Sequence, residues 1–247
     1  MIKSVVITGA SAGIGKAIAY EFARRGVNLV LMARRLELLE ELAADIRKQH
    51  PDVDVHCISL DVAQVEDIAP ALEQARNLVG QLDCVIANAG ITAVNKTGAG
   101  DFSKEQRVIQ VNLIGGMATI DAAVRIFRQQ GKGIAVGISS VSAFKGIPGS
   151  AAYSASKAGF SNYLDSTRME LQKHGITVIA VHPGFVKTEI SPNMDKLPFV
   201  ISADKAAKEI VNGIVKGNTN IIVPALPWSV LGRVLPFMPD SIIKKAF

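Results

Sequence analysis

Short apolar runs rich in Val and Ile alternate along this chain with longer segments of helical period, and no other feature limits the fold as tightly. A strand buried on both faces reads as a near-continuous apolar run, so the alternation predicts an α/β fold, a parallel sheet wrapped by helices. Strands are expected near 3 to 8, 27 to 32, 53 to 58, 82 to 87, 133 to 139, 175 to 181 and 219 to 223. The first two helices begin near Gly13 and Leu36 and stop at Gly26 and near His50-Pro51, residues that end helices for conformational reasons. Two longer helices are expected near 103 to 130 and 151 to 174. Nothing polar or rich in Pro, Gly and Ser interrupts the pattern before about the last thirty residues, so 1 to 247 reads as one domain with 224 to 247 as its apolar extension.

The chain's +5 charge comes from basic residues scattered among acidic ones, and with aromatics at only 5% no nucleic-acid stripe emerges. Cys57 and Cys84 each fall in an expected buried strand, which fits reduced core thiols in a reducing compartment. His50, His56, His174 and His182 make no cluster of metal-ligand spacing, and no metal site is expected. The β pattern begins at Ile2, leaving no room for a signal peptide, so the expected location is the cytoplasm.

The segment Thr8-Gly9-Ala10-Ser11-Ala12-Gly13-Ile14-Gly15 joins the first strand to the first helix. A pyrophosphate needs close backbone approach and the positive end of a helix at such a place. Its spacing is G-x-x-x-G-x-G, which does not match the G-x-G-x-x-G fingerprint. An acidic residue at the end of the second strand would hold the ribose hydroxyl of NAD, but that position is Ala33, followed by Arg34 and Arg35. Planar cations there suit a 2′-phosphate, so the cofactor expected is NADP. Asp61 and the run Asn88-Ala89-Gly90 end the third and fourth strands on the carboxyl edge, where open α/β sheets bind ligands.

Tyr153 and Lys157 stand four apart, on one face of a helix, with Ser140 upstream. A neighbouring ammonium favours phenolate and would bring a phenol toward the range of a general acid or base. Such spacing is also that of many solvated helix faces; the glycine turn and Ser140 give it meaning.

Taken together, these residues resemble the short-chain dehydrogenase/reductase family from Ile2 to about Val223. The glycine turn, Asp61-Val62, Asn88-Ala89-Gly90, Asn112, Ser140, the Tyr153/Lys157 pair and Pro183-Gly184 come in the family's order and approximate spacing. The resemblance implies a Rossmann-type, doubly wound, mainly parallel seven-stranded sheet. It implies that Gly9, Ser11, Gly13, Ile14 and Gly15 form the pyrophosphate turn. Ser140 would hydrogen-bond the substrate oxygen, Tyr153 would exchange a proton with it, and Lys157 would hold the nicotinamide ribose and lower the Tyr153 pKa. Asn112 would bend its helix and hold a water linking Lys157 to solvent. Asp61 and Val62 would contact adenine, Asn88, Ala89 and Gly90 would line the adenosine ribose side, and Pro183, Gly184, Val186 and Thr188 would orient the nicotinamide. Two departures stand out: Ala12 where some NADP-using members carry a basic residue, and Ala87 where the family usually has Asn.

The expected substrate walls are Ile91 to Thr97, Val141 to Ala151 and Phe185 to Val200, with Phe144, Ile147, Phe185, Met194, Leu197 and Phe199 forming an apolar cleft. Lys145 and Lys187 are the cations that would instead greet an acidic or acyl-carrier substrate. The expected activity is hydride exchange between NADP(H) and a lipophilic carbonyl or secondary alcohol. Reduction of 3-oxoacyl carriers is a second enzymatic reading, and a dinucleotide-sensing regulatory protein is a reading of another class. The expected assembly is a homodimer through the two long helices. The tail from Leu226 to Met238, interrupted by Pro227, Arg233 and Pro236, is not a transmembrane helix. Its apolar residues would cover the substrate cleft, pair with another subunit, or touch a membrane surface.

Overall fold

In the computed structural model, which describes residues 1–188, 199–241 and 243, each Val/Ile run becomes a strand of one sheet. The strands are β1 (Ser4–Thr8), β2 (Asn28–Ala33), β3 (Val55–Ser59), β4 (Cys84–Ala87), β5 (Gly133–Ile138), β6 (Ile176–Pro183) and, after a short pair β7 (Val186–Lys187) and β8 (Ile201–Ser202), β9 (Asn220–Val223). Their order is β3-β2-β1-β4-β5-β6-β9, and every pairing is parallel. The expected seven-stranded, doubly wound sheet is present. The β7/β8 pair, only two residues a strand, was not anticipated.

Helices cover both faces: α1 (Gly13–Ala23), α2 (Leu36–Gln49), α3 (Val65–Val79), α4 (Phe102–Ile109), α5 (Gly116–Gln130), α6 (Ala151–Leu171), α7 (Ala203–Val215) and α8 (Ala225–Val234). Successive strand residues point to opposite layers, which is why the runs are apolar throughout. Val5 and Ile7 of β1 pack with Ile18 and Phe22 of α1 and Ile210 of α7, while Val6 packs with Leu72 of α3, Phe127 of α5 and Phe160 of α6. The expected long helix from 103 to 130 is α4 and α5 joined by a π turn, Gln110–Gly115. The one expected from 151 to 174 ends at Leu171. Cys84 is buried, whereas Cys57, expected in the core, is half-buried; both are free thiols, and burial raises the pKa of each.

Order reverses between β1 and β4, because the chain leaves β3 on one side and resumes at β4 on the other. That reversal opens a crevice at the carboxyl ends of the strands. The glycine turn, Asp61, Asn88, Ser140 and Pro183 all lie there.

Candidate active site

The glycine turn is held by packing as much as by conformation. Gly9 and Gly13 adopt φ of +67° and +58°, which favour glycine. A Cβ on Gly9 would lie 2.7 Å from Ala89 Cα, and one on Gly15 would lie 2.5 Å from the Gly9 carbonyl oxygen and 2.5 Å from Asn88 Nδ2. Asn88 Nδ2 donates to the carbonyls of Thr8 at 2.9 Å and Gly9 at 3.1 Å, while Thr8 Oγ1 accepts from the amides of Asn88 at 3.1 Å and Ala89 at 3.2 Å. The Asn88 amide nitrogen is thus engaged by the turn, and Asn88, Ala89 and Gly90 all border the crevice. The N-cap of α1 is Ala12, which has no side-chain oxygen to cap the helix. Its first amides are therefore suited to an anionic group.

The crevice is a cleft of about 830 Å³. Gly9, Ser11, Gly13, Ile14, Arg34, Arg35, Asp61, Val62, Asn88, Ala89, Gly90, Ser140, Tyr153, Lys157, Pro183, Gly184, Val186 and Thr188 all line it. Of the cofactor-binding and catalytic residues expected from the sequence, Gly15 and Asn112 are not part of the lining. Arg34 and Arg35 are exposed just beyond Ala33, and Arg35 Nη2 donates to Ser11 Oγ at 3.4 Å. Asp61 accepts from the Ala63 amide at 3.0 Å and from Arg107 Nη2 at 2.8 Å. Burial raises its carboxyl pKa, but the Ala63 amide and the Arg107 guanidinium outweigh that and hold it below the usual range. Arg107 escaped the sequence reading, since its partner lies 46 residues away.

At the other end of the cleft, β5 runs into Ser139 and Ser140. Ser140 Oγ accepts from the Ser142 amide at 3.1 Å, and it is hydrogen-bonded to Tyr153. Lys157, 4% exposed, donates from Nζ to the Ile138 carbonyl at 2.8 Å and lies 5.8 Å from the Tyr153 ring centroid. Burial lowers the Lys157 pKa to about 8. It raises that of Tyr153, against the lowering effect of the Ser140 bond. The expectation of a phenol made more acidic by its cation is therefore corrected: desolvation dominates, and the ammonium is turned toward a backbone carbonyl. Asn112 sits in the π turn, where one extra residue per turn re-aims a side chain. Its Oδ1 accepts from the Ile91 amide at 2.8 Å, and its Nδ2 donates to the Ile91 carbonyl at 2.9 Å and to Ser156 Oγ at 3.2 Å. A Cβ on Gly90 would lie 3.3 Å from Asn112 Oδ1 and 3.6 Å from Lys157 Nζ, so that glycine keeps the two groups close.

Ile91, Thr92, Val94, Val141, Ile147 and Phe185 form the apolar side of the cleft. Phe144, expected there, stacks instead on His182 at 4.9 Å between centroids. Lys145 pairs with Asp240 at 3.3 Å, a contact with the tail. Phe199 is exposed and does not line the cleft, and Met194 and Leu197 fall outside the described residues. The tail does close on this region: Trp228, Leu235 and Ile243 are buried against Val141, and Phe185 meets Trp228 edge-on at 5.3 Å. The Trp228 indole lies directly against Gly184, so the tail supports the cleft wall from behind. Leu226, Val230, Val234 and Phe237 stay exposed on its outer side. Among the described residues no helix is long and apolar enough to cross a membrane.

A family model described as short chain dehydrogenase matches residues 3–197. The chain belongs to the short-chain dehydrogenase/reductase family of oxidoreductases, enzymes that act on alcohol and carbonyl groups with a nicotinamide dinucleotide. It is 33% identical over 244 residues to an uncharacterized oxidoreductase of Mycobacterium tuberculosis, covering 98% of this chain and 96% of the relative. Among solved structures it is similar to a short-chain dehydrogenase from Sphingobium yanoikuyae in complex with NADPH, with 30% identity, a TM-score of 0.83 and coverage of 98% and 95%. It is also similar to a bulky-bulky ketone specific alcohol dehydrogenase from Comamonas testosteroni, with 28% identity, a TM-score of 0.81 and coverage of 99% and 94%.

Proposed function

We propose that the chain is an NADP(H)-dependent oxidoreductase of lipophilic ketones or secondary alcohols, working as one domain from 1 to 247. The observation that carries this reading is the grouping of Ser140, Tyr153 and Lys157 at the apolar end of a cleft whose other end holds the glycine turn and Arg34. The Sphingobium relative's NADPH and the Comamonas relative's ketone preference point the same way.

The residues fit the cofactor: the start of α1, with Ala12 as its N-cap, suits a pyrophosphate, and Arg34 and Arg35 suit a 2′-phosphate. Asp61 and Val62 would hold adenine, Asn88 to Gly90 the adenosine ribose, and Pro183, Gly184, Val186 and Thr188 the nicotinamide. When bound, NADP(H) supplies or accepts the hydride. The protein's part is the proton and the geometry. Burial keeps Tyr153 a phenol at neutral pH, ready to donate from Oη to an oxygen gaining charge, with the Ser140 hydroxyl as second donor. Lys157, a cation below about pH 8, would hold the nicotinamide ribose and offset charge left on Tyr153. Asn112 would keep the path from Lys157 to solvent open. The apolar lining by Val141, Ile147 and Phe185 favours a lipophilic ketone over an acyl carrier, since Lys145 is engaged by Asp240. An intact proton-donating set likewise argues for turnover over dinucleotide sensing.

We extend the proposal to a cytoplasmic homodimer through α4/α5 and α6, which expose Met169 and, in the intervening π turn, Ile114. The exposed outer side of the tail is the surface for any membrane contact. The experiment is NADPH oxidation across ketones, aldehydes, quinones, steroids and acyl thioesters. Turnover confined to acyl thioesters would favour the carrier reading, and tight NADPH binding with no turnover would favour the sensor.

A further inference from the structure

The polar face of α6 does not end at Lys157. Tyr153, Lys157 and Ser161 stand four residues apart on successive turns and share one stripe. Ser161 Oγ lies 2.7 Å from Ser139 Oγ and 3.1 Å from His182 Nε2. Ser139 Oγ donates to the Lys157 carbonyl at 3.0 Å, and His182 Nδ1 faces the Asn220 side-chain amide at 3.1 Å from its Oδ1. His182 is 3% exposed, and the Phe144 ring covers it. Burial lowers its pKa to about 4, so the ring is neutral at physiological pH.

Each serine hydroxyl has one proton to give. Ser139 gives its own to the Lys157 carbonyl, so the contact between the two serines needs the proton of Ser161. His182 Nε2 must then carry the proton that Ser161 accepts. A neutral ring protonated there has a bare Nδ1, which the Asn220 amide serves after a half-turn that exchanges its oxygen and nitrogen. One run of donors results, from Asn220 through His182, Ser161 and Ser139 to the Lys157 carbonyl. The opposite tautomer reverses the run and takes the Ser139 proton away from that carbonyl.

We infer that His182 is a positioning residue which, through Ser161 and Ser139, fixes the α6 turn bearing Lys157 against the strand end bearing Ser140. This rests on the oxidoreductase reading above. Tyr153 and Lys157 already touch that strand end through Ser140 and the Ile138 carbonyl, and the His182 run supplies a third tie one turn further along. It also reaches β6 and β9, so the helix cannot slide without breaking bonds to three strands or strand ends.

The test uses a ketone that the unmodified protein reduces. Turnover is measured for His182→Phe, Ser161→Ala and the double variant, with NADPH affinity read from the fluorescence of the single tryptophan, Trp228, and folding from the thermal transition. Each single change should lower kcat about tenfold or more while KM and NADPH affinity stay within about twofold. The double variant should fall no further than the worse single one, because both cut the same run. His182→Gln, whose amide donates from a similar place, should regain most of the turnover. Ring-nitrogen NMR of the unmodified, 15N-labelled protein, which needs no variant to fold, should find the His182 proton on Nε2. Losses that multiply in the double variant, unchanged kcat, a loss confined to KM, or a proton on Nδ1 overturns the inference. A protein that reduces no carbonyl at all would overturn the functional reading instead, and the nitrogen shifts would then decide this one alone.

Discussion

Cofactor choice turns on the end of β2. Ala33 is 8% exposed in the cleft wall, and Arg34 and Arg35 follow it into solvent. Replacing Ala33 with Asp and Arg34 with Ala removes a cation and adds a carboxylate suited to a ribose hydroxyl. A charge-assisted phosphate contact contributes about 1.5 to 3 kcal/mol, which at about 1.4 kcal/mol per tenfold is about 10- to 150-fold in relative efficiency. Arg34→Ala alone should fall at the low end, because Arg35, held toward the glycine turn by Ser11, still offers a guanidinium. Asp61 does not oppose the phosphate strongly, since Arg107 neutralises it at 2.8 Å. The assay is the ratio of kcat/KM for NADPH and NADH with one ketone, at two salt concentrations, because these cations are solvent-screened. Equal use of both cofactors by the unmodified protein, or an unchanged ratio in the double variant, refutes the selector role.

Tyr153→Phe keeps the ring and removes the phenol, so turnover should fall at least about a hundredfold with little change in melting temperature; near-normal turnover would exclude Tyr153 as proton donor. Lys157 has a folded pKa of about 8, below its ordinary 10.5, so the unfolded chain binds the extra proton between those values and stability rises with pH there. Relative to Lys157→Met, the unmodified protein should therefore gain on the order of 3 kcal/mol between about pH 8 and 10.5, read from urea unfolding at several pH values; a flat difference would mean that the ammonium is not desolvated. Trp228→Ala should cost about 3 to 5 kcal/mol and raise KM for the ketone, because the indole is 2% exposed and backs the cleft wall. Trp228→Phe should cost under about 1.5 kcal/mol, since the buried Nε1 it removes has no hydrogen-bond partner among the described residues; equal losses in the two variants would contradict that.

What the sequence discloses and what it hides divide along a physical line. The seven strands are legible because burial on both faces forces unbroken apolar runs, and the glycine turn because positive φ and close approach to Ala89 admit no Cβ. Tyr153 and Lys157 are legible because a helix repeats every four residues closely enough to align them. Arg107 and Asp61, Lys145 and Asp240, and His182 and Ser161 meet only once the chain has folded, and no local pattern ties one member to the other. The π turn at Gln110–Gly115 is hidden from local pattern, because its residues have ordinary helical character; only the family resemblance places a bend at Asn112, and the fold supplies it as a π turn that sets Asn112 against Ile91. Yet part of the hidden set follows from the legible part. Extending the Tyr153/Lys157 stripe by one further turn reaches Ser161, and a strand whose alternate residues Val178 and Ala180 face α6 must send His182 the same way. A polar residue where that row should be apolar therefore demands a partner on the facing helix, because a buried polar group without one is costly.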